Sequence, residues 1–182
     1  METQNAVTTT WLIDPLHSEV QFKVKHLMVS TVTGLFAQFT GRLAMAGDDF
    51  EDAKITFTAD IDSIRTGNDD RDTHLKSADF FDADQFPTLQ FDSTGMRRTG
   101  ADTYDLNGTL TIHGVTKPVT LHAQYGGQML DFHGNTKAGF EITGAIRRKA
   151  FGLSWDGVTE AGGVVVSDEV KLVMNIQVTK QA

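Results

Sequence analysis

Through most of this chain apolar and polar residues alternate with period two, and along the apolar parity the bulky side chains are repeatedly interrupted by Gly or Ala. A period of two puts successive side chains on opposite faces of a strand, so each such run predicts a strand with one buried and one wet face. Val20, Phe22, Val24 and His26 share one parity against Glu19, Gln21, Lys23 and Lys25 on the other. Leu35, Ala37, Phe39, Gly41, Leu43 and Met45 form the next inner set. Beyond the turn residues Gly47, Asp48 and Asp49 come Ala53, Ile55, Phe57, Ala59 and Ile61. Leu89 and Phe91 open a fourth strand behind Pro87, which biases Phe86 toward extended backbone. Tyr104 to Ile112 and Val119 to Tyr125 pair as a hairpin through residues 113–117, and Ala138 to Ile146 and Val170 to Val178 complete a set of eight.

The fold class is therefore all-β: eight antiparallel strands closed into a small barrel. Most connections are too short to hold a crossover helix, and closure removes the unpaired edges of an open sheet. With 182 residues and 40% hydrophobic content there is material for one sizeable core. The expected organisation is a flexible N-terminus over 1–10 and a single barrel domain over 11–180.

One segment departs from the strand pattern. Asn68 is placed to cap a helical turn that begins with Asp69 and Asp70, and Arg71, His74, Leu75 and Ala78 then fall on one face at helical spacing. Ser77 is placed to cap a further turn carrying Asp79, Phe80 and Phe81. This short helical stretch reads as a lid.

A formal charge of -8 opposes attraction to phosphate backbones and anionic lipid surfaces, so nucleic acid is not an expected partner. The stretch from Met1 to Thr10 has neither the basic nor the apolar part of a secretory signal. No run approaches the ~20 apolar residues that cross a bilayer. A soluble cytoplasmic protein without stable membrane insertion is the expectation. The absence of cysteine excludes disulfides, thiol catalysis and thiolate metal sites.

The small inner residues Gly41, Ala59, Gly108, Ala123, Ala138 and Gly144 admit two readings: they leave a void for one small ligand, or they accommodate large neighbours in a filled core. A void lined by Phe, Leu, Ile, Val and Met favours an apolar guest, at about 0.8 kcal/mol per buried methylene before ordering costs.

Asp14, Pro15, His17 and Ser18, followed by Phe22, Val24 and His26, resemble the opening signature of the YceI-like family. Thr66, Gly67, Arg71, Asp72, His74, Leu75, Asp79, Phe80, Phe81, Pro87 and Phe91 resemble its central motif. Gly108, Leu110, Thr111, Gly114, Val115, Thr116, Lys117 and Val119 resemble its hairpin motif, and Arg148, Phe151 and Gly152 its late motif. The similarity runs from about Trp11 to Val178, by the length of the strand pattern. It implies a lipocalin-like barrel, commonly a homodimer. No catalysis and no cofactor are implied beyond a bound polyisoprenoid, isoprenoid quinone or fatty-acid-like lipid. Many relatives carry a secretory signal, so a periplasmic transport role is not carried over.

On these grounds the expected lipid-binding residues are Phe22, Phe39, Phe57, Phe91, Leu110, Phe140 and Met174 along the lumen, with Phe80 and Phe81 at the entrance. His17, His26, Arg71 and His74 are the candidates for a head group or the mouth. Each has a structural alternative. Asp14 and Pro15 form a turn that starts a strand. His26 is buried with a partner. Arg71 with Asp72 or Asp79 pins the lid through its forked donors. Arg147, Arg148 and Lys149 form a solvated basic run.

Catalytic motifs do not emerge: no His-Glu-x-x-His spacing, phosphate-binding glycine loop or Gly-x-Ser-x-Gly elbow is present. A metal site built from His113, His122 and His133 is disfavoured because His122 takes the wet parity and the others fall in turns. The expected function is non-catalytic binding or carriage of a long hydrophobic amphiphile. The alternatives are a barrel enzyme using His26 or His74 as acid or base on a hydrophobic substrate, and a filled-barrel interaction module.

Overall fold

The computed structural model describes residues 7–157 and 165–182. Its strands are β1 (Thr8–Ile13), β2 (Glu19–His26), β3 (Ser30–Phe36), β4 (Phe39–Ala46), β5 (Lys54–Asp60), β6 (Ile64–Arg65), β7 (Thr88–Arg98), β8 (Thr103–Ile112), β9 (Val115–Leu130), β10 (Thr136–Arg147) and β11 (Val166–Lys180), with one helix, α1 (Asp69–Lys76). Three long staves are each broken once, the third where the turn Ile61–Ser63 separates β5 from β6. β1 and β2 are separated by the turn Pro15–His17, where Asp14 Oδ1 accepts the Leu16 amide at 3.0 Å. β3 and β4 are separated by Ala37 and Gln38.

With each broken stave counted once, the chain is an eight-strand antiparallel meander. It closes into a barrel because β1 pairs on one edge with β4 and on the other with β11. The fold class expected from the alternation is the one found. Thr8, Thr9 and Thr10 pair with Ala46, Met45 and Ala44. The ordered strand therefore starts inside the 1–10 stretch expected to be a flexible terminus; residues 1–6 lie outside the described residues.

The break between β3 and β4 changes which residues face inward. Phe36 and Phe39 are both buried although three positions apart, because two residues intervene where one would preserve the alternation. Leu35 and Ala37, expected on the inner face, are half-buried and exposed. β8 keeps the parity throughout, alternating buried and half-buried residues along its whole length from Thr103 to Ile112. The β8–β9 turn is shorter than expected. It uses only His113 and Gly114, at φ 55° and 73°, which is the two-residue geometry that matches strand twist.

The connections sort into two ends. One end gathers the β2–β3 turn, the long 61–87 segment holding α1, the His113–Gly114 turn and the link from β10 to β11. The opposite end gathers the loops 47–53, 99–102 and 131–135. That second end is stoppered from within: Phe50, carried on the β4–β5 loop, packs against Trp11, Tyr125 and Phe140 at ring-centroid distances of 5.6, 5.4 and 4.9 Å. Trp11 Nε1 is buried there without an acceptor.

Candidate functional site

Inside the barrel lies a void of about 200 Å³ whose lining surface is almost wholly apolar. Of the residues expected to meet a lipid, Phe22, Phe57, Phe80, Phe81, Phe91, Leu110, Phe140 and Met174 line it. Phe39 does not; its ring stacks on Phe57 at 6.0 Å, and Phe36 takes the lumen position in its place. On β11 the lining runs from Val166 to Val178, about 40 Å of strand path at ~3.3 Å per residue. The void is consequently long relative to its volume.

The inner glycines do not form the void by simple omission. A Cβ on Gly34 would overlap the Phe22 ring, and one on Gly41 would overlap Ile13. On Gly108 it would come within 2.5 Å of the Phe91 ring, and on Gly144 within 2.5 Å of Leu121. Each glycine is a seat in the wall that lets a bulky neighbour lie along the sheet instead of pointing at the barrel axis. Both sequence readings therefore hold together: the glycines accommodate large side chains, and in doing so they keep the centre open.

The lid closes the end opposite the aromatic stopper. Asn68 Oδ1 accepts the Arg71 amide at 2.9 Å and starts α1 as expected. The helix ends at Ser77, so Ala78 falls outside it. The proposed common face is not buried either: Arg71 and Ala78 are exposed, while Leu75 reaches the void. Ser77 Oγ donates to the His74 carbonyl at 2.6 Å and turns the chain, delivering Phe80 and Phe81 onto the lumen.

His74, Phe80 and Trp155 form a three-ring cluster with centroids 4.9 to 5.2 Å apart, and His74 Nε2 lies 2.8 Å from Asp79 Oδ2. Trp155, on the link between β10 and β11, was not singled out from the sequence.

The other head-group candidates do not reach the void. Arg71 donates through Nε and a terminal nitrogen to the hydroxyl and carbonyl of Thr66, at 2.7 and 2.6 Å. Asp72 Oδ1 accepts the Thr66 amide and hydroxyl at 2.9 and 2.6 Å. These groups brace the root of the lid. His26 is exposed at the rim instead of continuing the inner face. His17 stands on the outer wall, its Nδ1 2.9 Å from Asp14 Oδ2, which also accepts from Lys137 at 3.3 Å. The His17 hydrogen bond is the main reason the Asp14 carboxyl sits below its ordinary value, with burial opposing it.

Arg148 is not part of a solvated run: it is buried. Its Nε donates to the Ser167 carbonyl at 2.8 Å, and its terminal nitrogens reach the carbonyls of Leu153, Trp155 and Val166 at 2.6, 2.7 and 3.1 Å and the Asp156 carboxylate at 3.6 Å. Four guanidinium N–H groups thus donate to four backbone carbonyls, and the Asp156 carboxylate adds an ion pair. Burial lowers its pKa and Asp156 and Asp168 oppose the shift. The alternation carried the signal, since Arg148 continues the inner parity of Ala138 to Ile146. Phe50 carried none, because it stands alone in an acidic loop.

Comparison with known proteins adds the following. The YceI-like domain family matches residues 11–178. Protein YceI of Salmonella newport is 36% identical over 181 residues, covering 98% of this chain and 91% of its own. The crystal structure of Burkholderia cenocepacia BcnA superposes with a TM-score of 0.79 at 22% identity, covering 91% of this chain and 98% of that one. A polyisoprenoid binding domain from Saccharophagus degradans superposes with a TM-score of 0.69 at 18% identity, covering 94% and 98%.

Proposed function

From the chain's membership of the YceI-like family, which spans residues 11–178, we propose that it binds a long, apolar-tailed lipid in the barrel and carries it without chemical change. The observation that carries this reading is the void itself: about 200 Å³, apolar in its lining, stoppered by Phe50 at one end and covered by Phe80 and Phe81 of the lid at the other. An apolar cavity of about 150 Å³ already stays dry and takes up small hydrocarbons. The length of the lining relative to its volume favours a linear or isoprenoid chain over a fused-ring body. The Saccharophagus degradans neighbour, described as a polyisoprenoid binding domain, points the same way.

The placement of the histidines supports carriage over catalysis. Those weighed as acid or base lie off the lumen, His26 exposed on the rim and His74 held by Asp79 within the ring cluster. Arg148, which does touch the void, has its donors occupied by backbone carbonyls and Asp156. Pairing of two copies belongs to the same proposal. Met129, Leu130 and Phe132, exposed on the β9–β10 hairpin, offer an apolar surface for it.

Native purification, organic extraction and mass spectrometry test the reading, with Ala123→Phe as the control. Ala123 is buried on the lumen, and a phenyl ring there fills the void without touching the lid. The expected result is a near-stoichiometric long-chain lipid from the parent and little from the variant. Failure of the parent to yield lipid or to bind added prenyl and acyl probes would sink the proposal.

A further inference from the structure

The β2–β3 hairpin turns through Leu27, Met28 and Val29, with His26 opposite Ser30 and the Val29 amide donating to the His26 carbonyl at 3.2 Å. Leu27 and Met28 hold φ at 51° and 62°. That left-handed region disfavours a Cβ, and hairpins normally fill it with Asn, Asp or Gly. Packing does not compensate, since the three residues are 41%, 64% and 82% exposed. Neither turn chemistry nor burial accounts for three successive apolar side chains at this point. Their role lies outside the folded chain.

The tip adjoins the mouth of the void. The Leu27 amide donates to the Val165 carbonyl at 2.9 Å, and the Val165 amide to the Gly157 carbonyl at 3.0 Å. Two residues before Gly157, Trp155 packs on the lid through His74 and Phe80. His26 pairs with Val166, which itself lines the void.

Beside the tip the wall carries Lys23 and Lys171, opposite each other across β2 and β11, and Lys25 on the same face. Among the described residues none of the three is ion-paired. On β10, β11 and their link the other charges compensate one another: Arg147 with Asp168 and facing Glu169, and Arg148 and Lys149 with Asp156. Among the described residues, a protein of charge -8 therefore presents an unpaired cationic collar beside this exposed apolar turn. The lid resists the same kind of surface through Asp69, Asp70, Asp82 and Asp84, so the β2–β3 tip leads the approach.

We propose that Leu27, Met28 and Val29 form a docking tip that inserts into the surface of an anionic phospholipid bilayer, with Lys23, Lys25 and Lys171 set against its headgroups. Docking brings the lid to the bilayer, where a lipid passes between membrane and lumen without crossing water. The purpose of docking rests on the lipid-carrier reading; docking itself is measured independently of it.

The test is flotation of the full chain with vesicles of phosphatidylcholine containing about 30% phosphatidylglycerol, at low and high salt. The triple variant Leu27→Asn, Met28→Gly, Val29→Ser suits the left-handed backbone and keeps the turn, so loss of binding cannot be assigned to unfolding. The parent should float with the vesicles, more weakly in high salt. The triple variant should partition about tenfold less or lower, yet keep lipid supplied from detergent. Lys23→Gln, Lys25→Gln, Lys171→Gln should remove most of the salt dependence. A parent that stays unbound, or a triple variant that floats like the parent, overturns the proposal. So does a triple variant that merely converts a dimer to monomer with unchanged flotation, because a second copy then covers the tip. Absence of lipid from the parent's lumen would count against the carrier reading and leave the flotation result to decide docking alone.

Discussion

The imidazole of His74 stands edge-on to the indole of Trp155, 4.9 Å between centroids and 86° between planes. This contact joins α1 to the β10–β11 link across the mouth of the void, and Phe80 completes it from the lumen side. Trp155→Ala should loosen the lid and leave the barrel intact. Aromatic pairs of this kind contribute about 0.5–1.5 kcal/mol beyond area burial, so lipid release should quicken about two- to tenfold. Stopped-flow displacement of a fluorescent acyl probe, read beside an unchanged melting temperature, checks it.

Gly34 bears on lumen volume more than on backbone geometry. It pairs with Phe22 across β2 and β3, and a methyl group there would overlap the Phe22 ring. Gly34→Ala should swing that ring toward the axis and cost about 1–3 kcal/mol of stability. The loss of bound lipid should be larger than that of Leu12→Ala, an exposed outer-wall control. Equal lipid recovery from both variants would contradict the wall-seat account.

Arg148 is expected to be among the costliest single positions. Arg148→Met removes a buried cation and strands the carbonyls of Leu153, Trp155, Val166 and Ser167 together with Asp156. Losing one partner of such a buried arrangement costs about 3–5 kcal/mol. Arg148→Lys should rescue only a minor part, because an ammonium cannot reach four divergent carbonyls and Asp156 together. Urea denaturation of the three proteins measures the order.

Acid sensitivity should trace in part to Asp14. Its folded-state pKa is lowered, first by the His17 hydrogen bond and then with help from Lys137 and the Leu16 amide. A lowered folded pKa adds stability that is fully present above the ordinary carboxylate value. That stability is lost as pH falls below about 4 toward the lowered value. Asp14→Asn should therefore melt below the parent at neutral pH, and the gap should narrow in acid. A gap that stays constant down to acid pH would exclude Asp14 as the source.

How much of the site was legible varies residue by residue, for physical reasons. Phe22, Phe57, Phe91, Leu110, Phe140 and Met174 could be placed on the lumen because a strand's two-residue period fixes the face of every side chain once one is fixed. Phe36 was missed, and Leu35 and Ala37 were set inward, because the two-residue break at Ala37 and Gln38 resets that period and nothing in the composition of the run marks it; Phe39 keeps the inner parity but packs on Phe57 off the void. The Asn68 cap and the lid were readable from local chemistry. The ring cluster was not: Trp155 lies 81 positions from His74, and only the folded barrel sets the two at one rim.

The sequence by itself determined the strand number, the antiparallel meander, the apolar face of most strands and the site of the lid, since all of these follow from local periodicity and turn chemistry. Tertiary structure alone decided that the centre is hollow. Whether a phenyl ring points at the axis or lies along the wall depends on which residue the register sets beside it. Gly34 under Phe22 and Gly108 under Phe91 are neighbours across strands, not along the chain. The same holds for Arg148, whose parity marked it as inward but whose acceptors come from two stretches, 153–156 and 166–167, set around it by the pairing of β10 with β11.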